Sequence, residues 1–165
     1  MLKYILSFIA LIVAQVLVFN QIQFSGFINP AFYILFILIL PLNTAAWLRL
    51  LSAFILGFTI DIFSQSPGLH TASTVLIAYL QPLITGTFKT SDIDENKSSS
   101  MSHLGIQWFL SSSAILILIH QASYFILEVF RLSNFSDTIY RIVLSSFATF
   151  TTITIAQFMI YKKQQ

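Results

Sequence analysis

Apolar residues occur in long runs, and the polar interruptions between them are short. The first run extends from Tyr4 to Phe19 and stops at Asn20-Gln21-Ile22-Gln23. Crossing about 30 Å of hydrocarbon takes about 20 mostly apolar residues, so a first span is expected over 4–19. Lys3 ahead of it resembles the start of a signal peptide. No small-x-small cleavage site follows, so the segment is expected to be retained. Asn29-Pro30 reads as a cap followed by proline at the first helical position. The run behind it closes at Pro41 and predicts a second span over 30–42, either short, kinked or tilted, or re-entrant. Thr44 is the expected cap of a third span over 45–64. The turn signal Gln65-Ser66-Pro67-Gly68 leads to a fourth over 69–85, with Pro82 in its last turns. The fifth and sixth fall over 105–130 and 139–160. Between the fourth and fifth, about 87–104, lies the chain's one charged and polar stretch, Ser91 to Ser100, expected as a solvated loop. The expectation is an all-α polytopic membrane protein, a six-helix transmembrane bundle in one domain over 1–165.

Composition agrees. The chain is 56% hydrophobic and only 8% charged, where a soluble domain carries about 25% charged residues. Too little charge is present to coat a globule in water, and the 17 Phe exclude a disordered composition. No cysteine occurs, which removes disulfides, thiolate nucleophiles and zinc–thiolate sites. A net charge of +2 without a Lys/Arg cluster gives no nucleic-acid footprint.

Basic residues near span ends set the expected orientation. With six spans, Lys3, Arg49, Lys89, Lys97, Lys162 and Lys163 share one side, and Arg131 and Arg141 the other. Both termini and the loop about 87–104 are therefore expected in the cytoplasm, with Tyr4, Trp47, Trp108 and Tyr161 as boundary anchors.

Ionisable residues inside spans are costly and draw attention by default. In the third span Arg49, Ala53, Gly57 and Asp61 recur every four residues and form one slanted stripe. Its small residues would admit another helix closely. Asp61 lies where its own helix dipole disfavours a carboxylate, so it is expected to pair with Arg131 or Arg141. Two readings stand: a structural ion pair locking the third span to the last two, or a surface that also meets a partner. Glu128 and Arg131, three apart, are expected to pair locally. His120 is expected to hydrogen-bond between helices; neither it, His70 nor His103 has a second ligand at i+3 or i+4, so no metal site is assigned. Thr74 with Ala78, and Ala148, Thr152 and Ala156, read as packing stripes. No nucleophile elbow, H-E-x-x-H pair, P-loop or Rossmann fingerprint is present, so no catalytic residue and no cofactor is assigned.

The stretch Leu56-Gly57-Phe58-Thr59-Ile60-Asp61, through Pro67-Gly68-Leu69-His70-Thr71-Ala72 to Tyr79-Leu80, resembles the signature of the bacterial rod shape-determining protein MreD family. Members show Gly-x-x-x-Asp at the end of one span, a Gly-containing turn, then a span with small residues and an aromatic. Gly57, Asp61, Pro67, Gly68 and Tyr79 stand at those positions, and the layout of six hydrophobic segments fits. The resemblance implies a non-enzymatic subunit of the cell-elongation machinery in the cytoplasmic membrane. It would bind MreC and, through it, connect MreB filaments to RodA and a class B penicillin-binding transpeptidase; a homo-oligomer is compatible with this. The family fold is similar to substrate-capture subunits of energy-coupling-factor vitamin transporters. That supplies the alternative, a small-solute capture subunit, for which Asn20, Gln21, Gln23, His70 and Tyr124 would be the polar candidates. A secondary transporter, with Asp61 and the arginines as its ion site, ranks third.

Overall fold

The computed structural model describes residues 2–21, 28–88, 95–129 and 135–163, and they are helical throughout their regular parts. Helix α1 covers Leu2–Leu17, α2 Leu35–Ile39, α3 Ala46–Ser64, α4 Leu69–Thr87, α5 Met101–Leu104, α6 Ile106–Glu128 and α7 Phe135–Lys163. Four of these regions are long and apolar enough to cross a membrane: Tyr4–Gln21, Ala46–Ser64, Ile106–Glu128 and Ser136–Tyr161. Helix α4 matches α3 at 19 residues but carries more polar side chains.

The distribution of side chains is inverted relative to a water-soluble globule. Large apolar residues point outward along whole faces, including Ile5, Ile9 and Val13 of α1, Leu51, Phe54, Phe58 and Ile62 of α3, and Val143, Phe147 and Met159 of α7. Meanwhile Gln15, Arg49, Asp61, His70, Gln81, His120, Gln121 and Gln157 are buried. An exposed apolar surface this continuous calls for an apolar solvent, and buried polar groups must find partners inside.

Cross-links between elements fix their directions. Asn20, just beyond α1, donates to Ser64 at the end of α3 (3.0 Å), while Tyr4 and Phe8 share a cleft with Thr44 and Leu48. Helices α1 and α3 therefore run the same way. Residues 29–43 return between them: Asn29 and Ala31 bond Ser145 and Thr149 towards the middle of α7, and Leu40 meets Gln81 and Ser99 at the other end. Helix α4 runs back along α3, and α7 runs back along α6, with Arg141 near Glu128 at one end and Gln157 reaching Met101 at the other. Consecutive segments thus alternate in direction, and the two outer helices begin and end at the same end of the molecule.

The second expected span departs most from expectation. Only residues 32–39 are helical, a 3-10 turn followed by α2, about 13 Å of rise. Prolines on both sides explain the shortness. Pro41 forces Leu40 into an extended conformation (ψ 139°). Pro30 lies outside the helix, whose N-cap is Ala31, so Asn29-Pro30 is not the cap expected. This segment is surrounded by protein, with Tyr33 to Leu38 all buried, which is the condition under which irregular backbone is tolerated at membrane depth. Thr44 does not cap α3 either: its hydroxyl donates back to the Pro41 carbonyl, and Ala45 is the N-cap. Trp108, expected as a boundary anchor, is buried. On α7 the buried line is Ser145, Thr149, Ile153 and Gln157, one residue along from the expected Ala148, Thr152 and Ala156, which are half-buried.

The loop about 87–104 is only partly what was expected. Residues 89–94 lie outside the described residues. From Ser98 onward the chain packs: Ser98 and Ser99 bond the Ile39 and Leu40 carbonyls, and Met101 is fully buried in α5. These serines close the carbonyls that α2 leaves unpaired at its C-terminus.

Candidate functional site

The Arg49–Ala53–Gly57–Asp61 stripe faces α4 along its whole length, and all four residues are buried. Gly57 is the point of closest approach. A Cβ built there would stand 2.6 Å from Thr71 Cα and 2.8 Å from the His70 carbonyl oxygen. The stripe is thus occupied by the chain's own neighbouring helix.

Each charge at its ends meets backbone groups. Pro82 cannot donate to the Ala78 carbonyl four residues earlier, and Arg49 Nε supplies that missing hydrogen bond at 2.9 Å. Arg49 Nη1 also donates to the Thr44 carbonyl. Asp61 accepts from the backbone N–H groups of His70 and Thr71 (both 2.9 Å), from the Thr71 hydroxyl (2.5 Å) and from Ser66 (3.0 Å). It caps the first turn of α4 from the preceding helix, where the dipole of α4 favours a carboxylate.

Of the two arginines expected to pair with Asp61, Arg141 is engaged elsewhere. Arg141 pairs with Glu128 (2.7 Å) and stacks over Phe125, and Arg131 lies outside the described residues, as does any Glu128–Arg131 pair. The turn between the two helices uses Gln65 and Gly68 in left-handed conformation, with φ of 53° and 83°. Pro67 is exposed within that turn, and Tyr79 is exposed on the outer face of α4.

Deeper in the bundle, the Tyr33 hydroxyl lies 3.0 Å from His70 Nδ1 and 2.8 Å from His120 Nε2. It joins the second segment, α4 and α6 through one oxygen. The Thr74 hydroxyl lies 3.3 Å from it and donates to the His70 carbonyl, and the Tyr124 ring lies tilted against the His70 ring, centroids 4.5 Å apart. His103 lies apart, exposed on α5. Among the described residues no group of three or more His, Asp or Glu could hold a metal ion.

Around this core, amides and hydroxyls are committed to the irregular backbone that leads into α2. Gln15 donates to the Pro30 carbonyl and accepts from the Tyr33 N–H; Gln121 donates to the Asn29 carbonyl and to Thr149. Of the residues considered for a small solute, Asn20 is tied to Gln15 and Ser64, His70 and Tyr124 pack against each other, Gln21 is exposed, and Gln23 lies outside the described residues. Tyr33, Gln15 and Gln121 were not singled out from sequence. A lone amide inside an apolar run is the signal that could have found two of them.

Removing the shared oxygen should loosen this core. Tyr33→Phe leaves buried imidazole nitrogens without a partner, at a cost of about 1–3 kcal/mol. A lowered unfolding temperature in mild detergent is the expected result, and an unchanged one would show that the bridge contributes nothing.

No protein-family model, curated protein or solved structure matches the chain. Fold and geometry define its class: a protein all-helical among the described residues, with membrane-spanning character, in which several buried polar side chains hold the chain's own backbone in place.

Proposed function

We propose that the chain is a non-catalytic, multi-pass subunit of the bacterial cell-elongation complex, of the MreD type. It binds MreC and helps link MreB filaments to RodA and a class B penicillin-binding transpeptidase. The observation that carries this reading is the commitment of the interior. Asp61, Arg49, Gln15, Gln121, Ser98 and Ser99 each satisfy backbone groups of the chain itself, while the periphery offers continuous apolar helix faces. A protein built this way offers surfaces to other membrane helices.

The Gly57–Asp61 signature and its Pro67-Gly68 turn add the family resemblance. We further read six crossings in the cytoplasmic membrane with both termini cytoplasmic. The alternation of segment directions and the six-to-two bias of basic residues support this.

Affinity purification of the tagged chain from gently solubilised native membranes, with quantitative mass spectrometry, tests the proposal. MreC and the wall-synthesis enzymes should be recovered in near-stoichiometric amounts. Recovery of an ATPase pair with a transmembrane coupling subunit would instead make the chain a solute-capture subunit similar to those of energy-coupling-factor transporters.

A further inference from the structure

Between the first halves of α1 and α3 lies a cleft of about 540 Å³. Its walls are Phe8 and Leu48, and its floor is Phe36, fixed by an edge-on contact with Phe8 (ring centroids 5.1 Å apart), together with Leu40. The flanks Ile5 and Leu48 are exposed on the apolar periphery, so the cleft opens sideways rather than towards water. Polar groups gather at one end, where the turn after α2 brings Asn43 and Thr44 beside Asn96. Asn43 Nδ2 donates to Asn96 Oδ1 at 2.9 Å. The lining is therefore amphipathic along its length, apolar at depth and hydrogen-bonding at the rim.

Its sideways opening onto the apolar periphery and its size point to the occupant. A volume in the range of roughly 300–1,000 Å³ suits a single small ligand. We propose that this cleft is a lipid site, holding one acyl chain of a membrane phospholipid with its ester or phosphate oxygens at the amide rim of Asn43 and Asn96. The inference needs only that the chain lies in a bilayer, and it stands apart from the partner assignment above.

The test compares the full-length protein with Ser52→Phe, which adds a ring to the α3 wall of the cleft, and with Leu51→Phe on the neighbouring exposed position. After exhaustive detergent washing, phospholipid is quantified by native mass spectrometry and by extraction. Wild type and Leu51→Phe should each retain about one phospholipid per chain, and Ser52→Phe severalfold less at an unchanged unfolding temperature. Equal retention in a folded Ser52→Phe, free fatty acid in place of phospholipid, or no retained lipid in wild type would overturn the proposal.

Should Ser52→Phe fail to fold, wild type in vesicles containing a phosphatidylglycerol with a photoactivatable acyl chain gives the answer. Cross-links should concentrate on peptides holding Phe8 and Leu48. Uniform labelling of all outward faces, or a polypeptide cross-linked at the cleft, would contradict the site.

Discussion

Asp61→Ala should destabilise the protein by an amount on the order of 4 kcal/mol, more than any other single polar truncation. The carboxylate accepts four hydrogen bonds in a buried position, two of them from the N–H groups that open α4. Alanine leaves those donors without an acceptor and removes a negative charge from the positive end of a helix dipole. Asp61→Asn keeps one acceptor oxygen and should lose roughly half as much.

Thermal unfolding in detergent reads the loss, and hydrogen exchange at the His70 and Thr71 amides locates it. Were Asp61 instead held by Arg141, Arg141→Ala would be equally damaging. The half-exposed Arg141–Glu128 pair predicts less than about 1 kcal/mol for that change. Wild-type stability of Asp61→Ala would remove the capping account.

The second large effect is at Gly57. Alanine there places a methyl group against the backbone of α4, 2.6 Å from Thr71 Cα, and a backbone atom cannot swing aside as a side-chain tip can. The expected cost of Gly57→Ala is about 3 kcal/mol, the upper end of overpacking penalties. Gly57→Leu should prevent the α3–α4 hairpin from closing and abolish recovery of folded protein. Asp61→Ala and Gly57→Ala act on the same helix junction, so the double variant should lose less than the sum of the two. Near-wild-type unfolding of Gly57→Ala would mean that the helices stand further apart than described. On the function proposed above, both variants should also weaken complex assembly in cells; complex formation and rod shape as in wild type would contradict that proposal.

These two residues show how far the sequence could be read. The period-four stripe identified Gly57 and Asp61 as neighbours on one face and anticipated a close helix contact. It did not say that the contacted helix was the very next one, because a small-residue stripe carries no address. The capping role of Asp61 was missed for a related reason. Charge suggested an arginine, whereas the carboxylate accepts from the N–H groups of the first turn of α4, which has no signature in side-chain type. Arg49 was equally opaque: its role depends on Pro82, 33 positions away in the chain, freeing the Ala78 carbonyl.

Long apolar segments were legible because length and hydropathy alone set them, and α1, α3, α6 and α7 fall close to expectation, whereas α4 is a helix of the expected extent without the hydropathy of a span. The 30–42 segment was not, since proline at each end shortens it and its remaining backbone is satisfied by Gln15, Gln121, Gln81 and Ser99 from four other parts of the chain. Such tertiary satisfaction leaves no local pattern.

The central claim is a bundle whose segments alternate across a membrane around a polar interior. Because the chain has no native cysteine, single cysteines at Gln65, Lys97 and Ser136 can be probed without background. With a membrane-impermeant maleimide on intact spheroplasts, Gln65→Cys and Ser136→Cys should label readily. Lys97→Cys should label only after permeabilisation. Labelling of Gln65→Cys and Lys97→Cys from the same side would contradict the account.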